Sequence, residues 1–381
     1  MTELPLSKTI DIEDFVAPEL VPYLREINEQ EAIRIGSNAD EIVFDSKQWE
    51  HACALRALDE AQAASAGSWV AGIGAGVEGT IFALARRGCL VFPIDRYLHR
   101  SVWSDVAPAG MMIDPTRFSQ LPYPRGHVIP VHSNAIRLNL PDCQFDGVFS
   151  SGSIEHFGSL DNVAEAAREI GRILKPGGVA SIATEFRLEG PVDRPWFDDN
   201  VILFTPELLE RYIVEPSGLT LRAPIRFEQS ERTFETRQNL VDFLQRAQNI
   251  HILEEKRALY PNLVLYHDGF LFCSIVITLY KDQNTGASSS GSQSSDAARA
   301  TDRVDDLVAR ENADLARELE SFQRSPPAAL PAPQIQIGDL QHLQAENDRL
   351  QQELVRANAW KHWRIMRPVR FVYRRLKRRR G

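Results

Sequence analysis

Short runs rich in β-branched and aromatic residues alternate with helical stretches through the first 280 residues, and the period of their apolar positions sets the type of each. Residues 69–73, 90–94, 127–131, 146–150 and 179–184 read as strands, separated by helical or loop chain. Residues 77–87 and 159–174 read as helices, the second stopped by Lys175-Pro176-Gly177-Gly178. Such alternation predicts a parallel sheet joined by right-handed crossovers. Residues 46–64 predict an amphipathic helix ahead of the first strand, and Pro206 opens another helix where its missing N–H costs nothing. Residues 219–227 and 270–280 predict two further strands around a helix at 237–256. The apolar run 269–280 is well short of the roughly 20 residues a spanning helix needs, so it is expected as a core strand.

The pattern changes at Asp282, where a run of Gly, Ala, Ser and Gln reads as a flexible linker. Beyond it Glu311-Asn312, Leu315 and Glu318-Leu319 recur as Glu346-Asn347, Leu350 and Glu353-Leu354. In the second copy Leu340, Leu343, Asn347, Leu350 and Leu354 step by three and four, the a and d spacing of a coiled coil, with Asn at an a position that favours a parallel dimer. Prolines between the copies predict two short coils, with a pair of solvated helices as the alternative. The expected layout is a helical segment over 1–65, an α/β domain over 66–281, a linker over 282–300, a coil over 301–323, a Pro-rich linker over 324–338, a coil over 339–358 and a tail over 359–381.

Composition adds two points. The formal net charge of -9 hides an asymmetry, because residues 361–381 hold ten Lys or Arg and no acid. Trp360, Trp363, Met366, Val369, Val372, Tyr373 and Leu376 interleave with those cations, which predicts a basic amphipathic segment lying on an anionic membrane surface, with nucleic acid as the competing polyanion. Cys53, Cys89, Cys143 and Cys273 are widely spaced, so neither a zinc knuckle nor a disulfide framework is expected. The N-terminus, Met1-Thr2-Glu3-Leu4, lacks the basic-then-apolar pattern of a signal peptide, and a cytoplasmic location at the inner face of the plasma membrane is expected.

The candidate chemistry begins at Gly72-Ile73-Gly74-Ala75-Gly76. A strand runs into these glycines and then into a helix, which aims backbone N–H groups and a helix N-terminus at a ligand beyond the sheet edge. Asp95, after the next strand, stands where an acid accepts hydrogen bonds from ribose hydroxyls. Together they point to a nucleoside cofactor, either a dinucleotide or S-adenosylmethionine. The histidines show no spacing of a metal site.

Three downstream stretches separate those classes: Ser133-Asn134-Ala135, Phe145-Asp146-Gly147-Val148-Phe149-Ser150-Ser151 with Ser153-Ile154-Glu155-His156, and Arg172-Ile173-Leu174-Lys175-Pro176-Gly177-Gly178. Over residues 66–186 the chain resembles the class I S-adenosylmethionine-dependent methyltransferases, especially a bacterial group acting on small molecules and sugars. The resemblance implies a Rossmann-like seven-stranded sheet with flanking helices, followed here by the coiled-coil helices. It implies S-adenosylmethionine as cofactor, with Gly74 and Gly76 beneath its methionine and ribose, Gly72 near the methionine amino group, Asp95 on the ribose, Asn134 and Ala135 beside the adenine, and Ser150 and Ser151 lining the pocket. Gly72 departs from the acid usual in that family and Asn134 from an Asp.

Methyl transfer to a hydroxyl wants a base, and His156, beside Glu155, is the first candidate, followed by Glu185 beyond the fifth strand; helix orientation and capping are the competing roles. The stretch 186–199, rich in aromatics and acids, suits a sugar as well as an ordinary packed loop. The tail, Trp363 to Arg370 above all, is similar to endings of surface-polysaccharide transferases. These features predict a methyltransferase that modifies a sugar, glycolipid or polysaccharide acceptor and forms a homo-oligomer through its coils. A non-catalytic adaptor that recruits glycan enzymes to the membrane, and a nicotinamide-dependent reductase, are the other readings.

Overall fold

A mixed sheet flanked by helices organises the protein, and the computed structural model describes residues 3–35, 42–99, 104, 106–191, 193–194, 196–198, 201–249 and 260–283. The principal strands are β1 (Trp69–Ile73), β2 (Leu90–Asp95), β3 (Val131–His132), β4 (Phe145–Ser151), β5 (Leu174–Glu189), β6 (Val264–His267) and β7 (Phe270–Tyr280). Their order across the sheet is β3-β2-β1-β4-β5-β7-β6. The first five are mutually parallel, whereas β7 runs antiparallel to both β5 and β6. Strands such as β1 and β7 carry near-continuous apolar runs because helices or loops cover both sheet faces, so neither face is left to water.

The α/β class and the alternation along the chain agree with the sequence, and three details differ. Lys8–Thr9 and Thr220–Leu221 add to β7, and Gln238–Asn239 adds to β6, so the sheet has ten strands among the described residues. Two-residue strands carry too little period to be read. The run expected as a strand over 219–227 is broken at Pro224, which has no N–H to give a ladder: it pairs with β7 at Thr220–Leu221 and then meets Lys8 by a single bridge at Arg226. The third strand is Val131–His132, and the stretch before it touches β2 by the single bridge of Val128 with Val91.

Four helices position the site: α1 (Val21–Ile35), α2 (Ser46–Glu60), α3 (Gly79–Arg86) and α4 (Leu160–Ile173). Asp45 caps α2 by accepting from the Lys47 N–H, and Ser159 caps α4 by accepting from the Asn162 N–H. Trp49, Leu55 and Leu58 of α2 share one buried core with Val70 and Ile73 of β1, Val148 and Phe149 of β4 and Ile275 and Ile277 of β7. Ile10, Phe15, Leu20 and Leu24, from the first 65 residues, are buried in that same core. All four cysteines are free. Among the described residues no helix is long and apolar enough to cross a membrane. The coiled-coil and tail expectations, 284–381, lie outside the described residues.

Candidate active site

The sheet order reverses between β1 and β4, where the crossovers leave in opposite directions and open a crevice beyond the strand ends. A cavity of about 430 Å³ occupies that crevice. Its walls come from the chain after β1 (Gly74), from the end of β2 and the chain after it (Asp95, Arg96, His99), around Ser133 to Ile136 after β3, and after β4 (Gly152, Ser153, His156, Phe157), with Asn162 of α4.

Backbone hydrogen bonds hold the glycine loop in place. Gly74 has φ of 61°, a conformation L side chains rarely adopt, and its N–H donates to the Ile94 carbonyl at 2.9 Å. The Ser153 hydroxyl donates to the Gly74 carbonyl at 2.8 Å, which ties the loop after β1 to the loop after β4. Asp95 accepts from the Gly76 N–H at 2.9 Å through one oxygen and from the Arg96 N–H at 2.7 Å through the other. The Tyr97 hydroxyl donates to the Gly76 carbonyl at 2.8 Å. The carboxylate is thereby fixed at the cavity wall with lone pairs to spare, since each oxygen accepts more than one hydrogen bond.

Of the residues singled out from the sequence, Gly74, Asp95, Asn134, Ala135 and His156 line this one cavity. Gly76 lies behind it as the Asp95 partner. Gly72, Ser150 and Ser151, expected at the cofactor, and Glu185, expected as a second candidate base, are not among the residues that line it. A Cβ on Gly72 would lie 2.5 Å from Cζ of Phe149, so that glycine makes room for a ring of β4. Ser150 and Ser151 stay within β4 at 1% and 0% exposure, and Glu185 stays within β5 at 4%. Arg96, His99 and Asn162 went unremarked in the sequence, and Ser133 and Ser153 stood there only as parts of longer motifs with no role assigned; the positions of Arg96 beside Asp95, Ser133 beside Asn134 and Ser153 three before His156 were the available signal. The stretch 186–199 lies partly outside the described residues, as do the side chains of Trp196 to Asp199.

A nucleoside cofactor fits this wall. Ser133, a residue 7% exposed, lines the cavity with a hydroxyl that has no hydrogen-bond partner in the protein, and Asp95 and Asn134 supply acceptors on the same wall. Among the described residues, no group of three or more His, Cys, Asp or Glu suits a metal ion.

Behind the loop after β4 lies a buried charged cluster. Lys47 Nζ donates at 2.8 Å to both oxygens of Glu50, and the Ser274 hydroxyl of β7 donates to Glu50 Oε1 at 2.6 Å. Glu155 Oε2 accepts from the Thr184 hydroxyl at 3.0 Å, while Glu155 Oε1 has no hydrogen bond and lies 3.8 Å from Nε2 of His156. Glu185 Oε1 is also without a hydrogen bond. Burial raises the Glu155 carboxyl to about 7 against the lowering pull of Lys47, and burial with Glu155 and Glu50 nearby raises Glu185 to about 8. The Lys47 ammonium is held well above its ordinary value, because its three acidic neighbours outweigh desolvation.

Residues 72–182 match the family model described as a methyltransferase domain. That match decides the cofactor class. The cofactor it supports for this domain is S-adenosylmethionine, and the dinucleotide reading of the glycine loop falls away. No curated protein sequence gives a significant match. Among solved structures, the chain is similar to the YcgJ protein of Bacillus subtilis, at 17% identity over 59% of this chain and 97% of that one, with a TM-score of 0.36. It is similar to a geranyl diphosphate methyltransferase in complex with S-adenosylmethionine, at 17% identity over 61% and 86% of the two chains and a TM-score of 0.40. It is also similar to phosphoethanolamine N-methyltransferase 2 of Haemonchus contortus, at 16% identity over 57% and 50% and a TM-score of 0.38. Likeness of this extent carries no argument about acceptor or reaction.

Proposed function

We propose that the chain transfers a methyl group from S-adenosylmethionine to a hydroxyl of a sugar in a glycolipid or polysaccharide acceptor. The observation that supports it is the meeting of Gly74, Asp95, Asn134, Ala135 and His156 around one cavity at the switch point of the sheet. When bound, S-adenosylmethionine supplies an activated methyl group for in-line displacement. Asp95 then accepts from ribose hydroxyls, Ser133 finds the partner its hydroxyl lacks, and Asn134 accepts from the adenine amine through its carbonyl. His156 receives the proton of the acceptor hydroxyl, which is too weak a nucleophile until that proton has a destination. The loop from Gly152 to Phe157 walls that side from water.

The sugar acceptor and the membrane setting rest on the sequence of residues 186–199 and of the tail. In this reading residues 359–381 hold the enzyme on an anionic leaflet and the heptads join copies of the chain. Calorimetry of the full chain with S-adenosylmethionine comes first: binding in the micromolar range is expected, and no binding rejects the enzyme in favour of an adaptor. Transfer of labelled methyl to nucleotide-linked and lipid-linked sugars is the second step, and labelling of amines alone rejects O-methylation.

A further inference from the structure

Lys47, Glu50, Glu155 and Glu185 bring three carboxyl groups and one ammonium together in a region with at most 8% residue exposure. Lys47 and Glu50 neutralise each other through two hydrogen bonds, which leaves Glu155 and Glu185 without a cation of their own. Each keeps an oxygen with no hydrogen bond. Two uncompensated carboxylates in that setting are strongly disfavoured, so the cluster relieves itself by holding a proton. Of the other groups facing it, His156 can carry a positive charge, with its Nε2 3.8 Å from Glu155 Oε1, whereas Thr184 from β5, Ser274 and the Cys273 thiol from β7, and the Cys53 thiol from α2 add none, with burial raising both thiols.

The two acids are not equivalent. Ionised Glu155 is favoured by the Thr184 hydroxyl, by a backbone N–H and by Lys47, whereas ionised Glu185 has Lys47 alone. The proton therefore resides on Glu185 and the charge on Glu155. That charge lies against the cavity wall. Glu155 Oε1 is 3.8 Å from Nε2 of His156, and a Cβ on Gly152 would lie 2.1 Å from Nζ of Lys47.

We propose that Glu155 is a positioning residue that acts through His156, and that Glu155 and Glu185 share one exchangeable proton behind the cavity wall. The first half rests on the reading of His156 as base; the shared proton does not. In the transfer step the acceptor O–H bond breaks and its proton goes to a ring nitrogen of His156. The acceptor oxygen forms its bond to the methyl carbon as the carbon–sulfur bond breaks, with that electron pair staying on sulfur. One positive charge thus passes from the donor to His156, and the Glu155 carboxylate, unpaired until then, compensates it. Glu185, by keeping its proton, leaves Glu155 available at neutral pH.

Carbon-13 NMR of glutamate carboxyls in the full-length protein tests the shared proton without any acceptor. Two carboxyls should titrate near or above neutrality; Glu185→Gln should remove the higher one and leave the Glu155 titration in place, whereas Glu155→Gln should shift the Glu185 titration to lower pH. Both carboxyls titrating in the ordinary acidic range would overturn the shared proton. Should Glu185→Gln fail to fold, Thr184→Val supplies the second variant, and there the Glu155 titration should move to higher pH. The positioning role is read from His156 itself: Glu155→Gln should move the imidazole titration to lower pH, with Glu155→Asp restoring most of it. An unmoved imidazole refutes that role. Absence of S-adenosylmethionine binding would reject the proposed function while leaving the carboxyl titrations to stand or fall by themselves.

Discussion

Replacing Asp95 by Asn keeps the shape of the side chain and removes its charge, which isolates the contribution of the carboxylate to cofactor binding. In the protein both Asp95 oxygens already accept backbone N–H bonds, from Gly76 at 2.9 Å and from Arg96 at 2.7 Å. Their remaining lone pairs are the ones offered to ribose hydroxyls. An amide has only one oxygen, so its NH2 group must face either the Gly76 or the Arg96 N–H, donor against donor. The variant therefore loses one charge-assisted hydrogen bond to the ribose and loosens one end of the glycine loop. A hydrogen bond to a charged group contributes about 1.5–3 kcal/mol, which predicts a Kd for S-adenosylmethionine weakened by about 10- to 150-fold. Calorimetry on wild type and variant, with thermal unfolding of both as a control, measures this directly. A Kd within about threefold of wild type would refute the assignment of Asp95 to the ribose.

Three more outcomes follow from the same geometry. Gly74→Ala forces a side chain into φ of 61° with its Cβ 2.6 Å from Cβ of Ser153, so urea unfolding should show a loss of about 1–3 kcal/mol and calorimetry should show weakened cofactor binding. His156→Ala should lower kcat by about 10²- to 10⁴-fold with the S-adenosylmethionine Kd unchanged, because a base contributes to the transfer step and not to donor binding; an unchanged kcat rejects it as base. Glu185→Gln should alter how stability depends on pH. The folded-state carboxyl is raised from about 4.5 to about 8, so the native chain binds more protons than the unfolded chain in that window. Wild-type stability should then fall by a few kcal/mol as pH rises from 4.5 through 8, and urea midpoints of the variant should decline less over the same range.

The sequence by itself determined the local pieces of this protein. The period of apolar residues fixed β1 at Trp69–Ile73 and β7 at Phe270–Tyr280, because an apolar run bounded by polar or turn residues has one favourable way to be buried. The glycines after β1, and Asp95 after β2, were legible for a related reason: tight turns and close backbone approach leave few residue choices. What lies outside the cavity was decided by tertiary structure. Alternation along β4 and β5 says which residues share a face, and not how far beyond the strand ends the crevice opens, so Ser150, Ser151 and Glu185 read as pocket residues, whereas the fold buries them within β4 and β5. Likewise no spacing in the chain joins Lys47 and Glu50 of α2 to Glu155, Glu185 and Ser274. Packing of α2 against β5 and β7 brings them together, and burial then converts ordinary surface acids into groups that hold protons near neutrality.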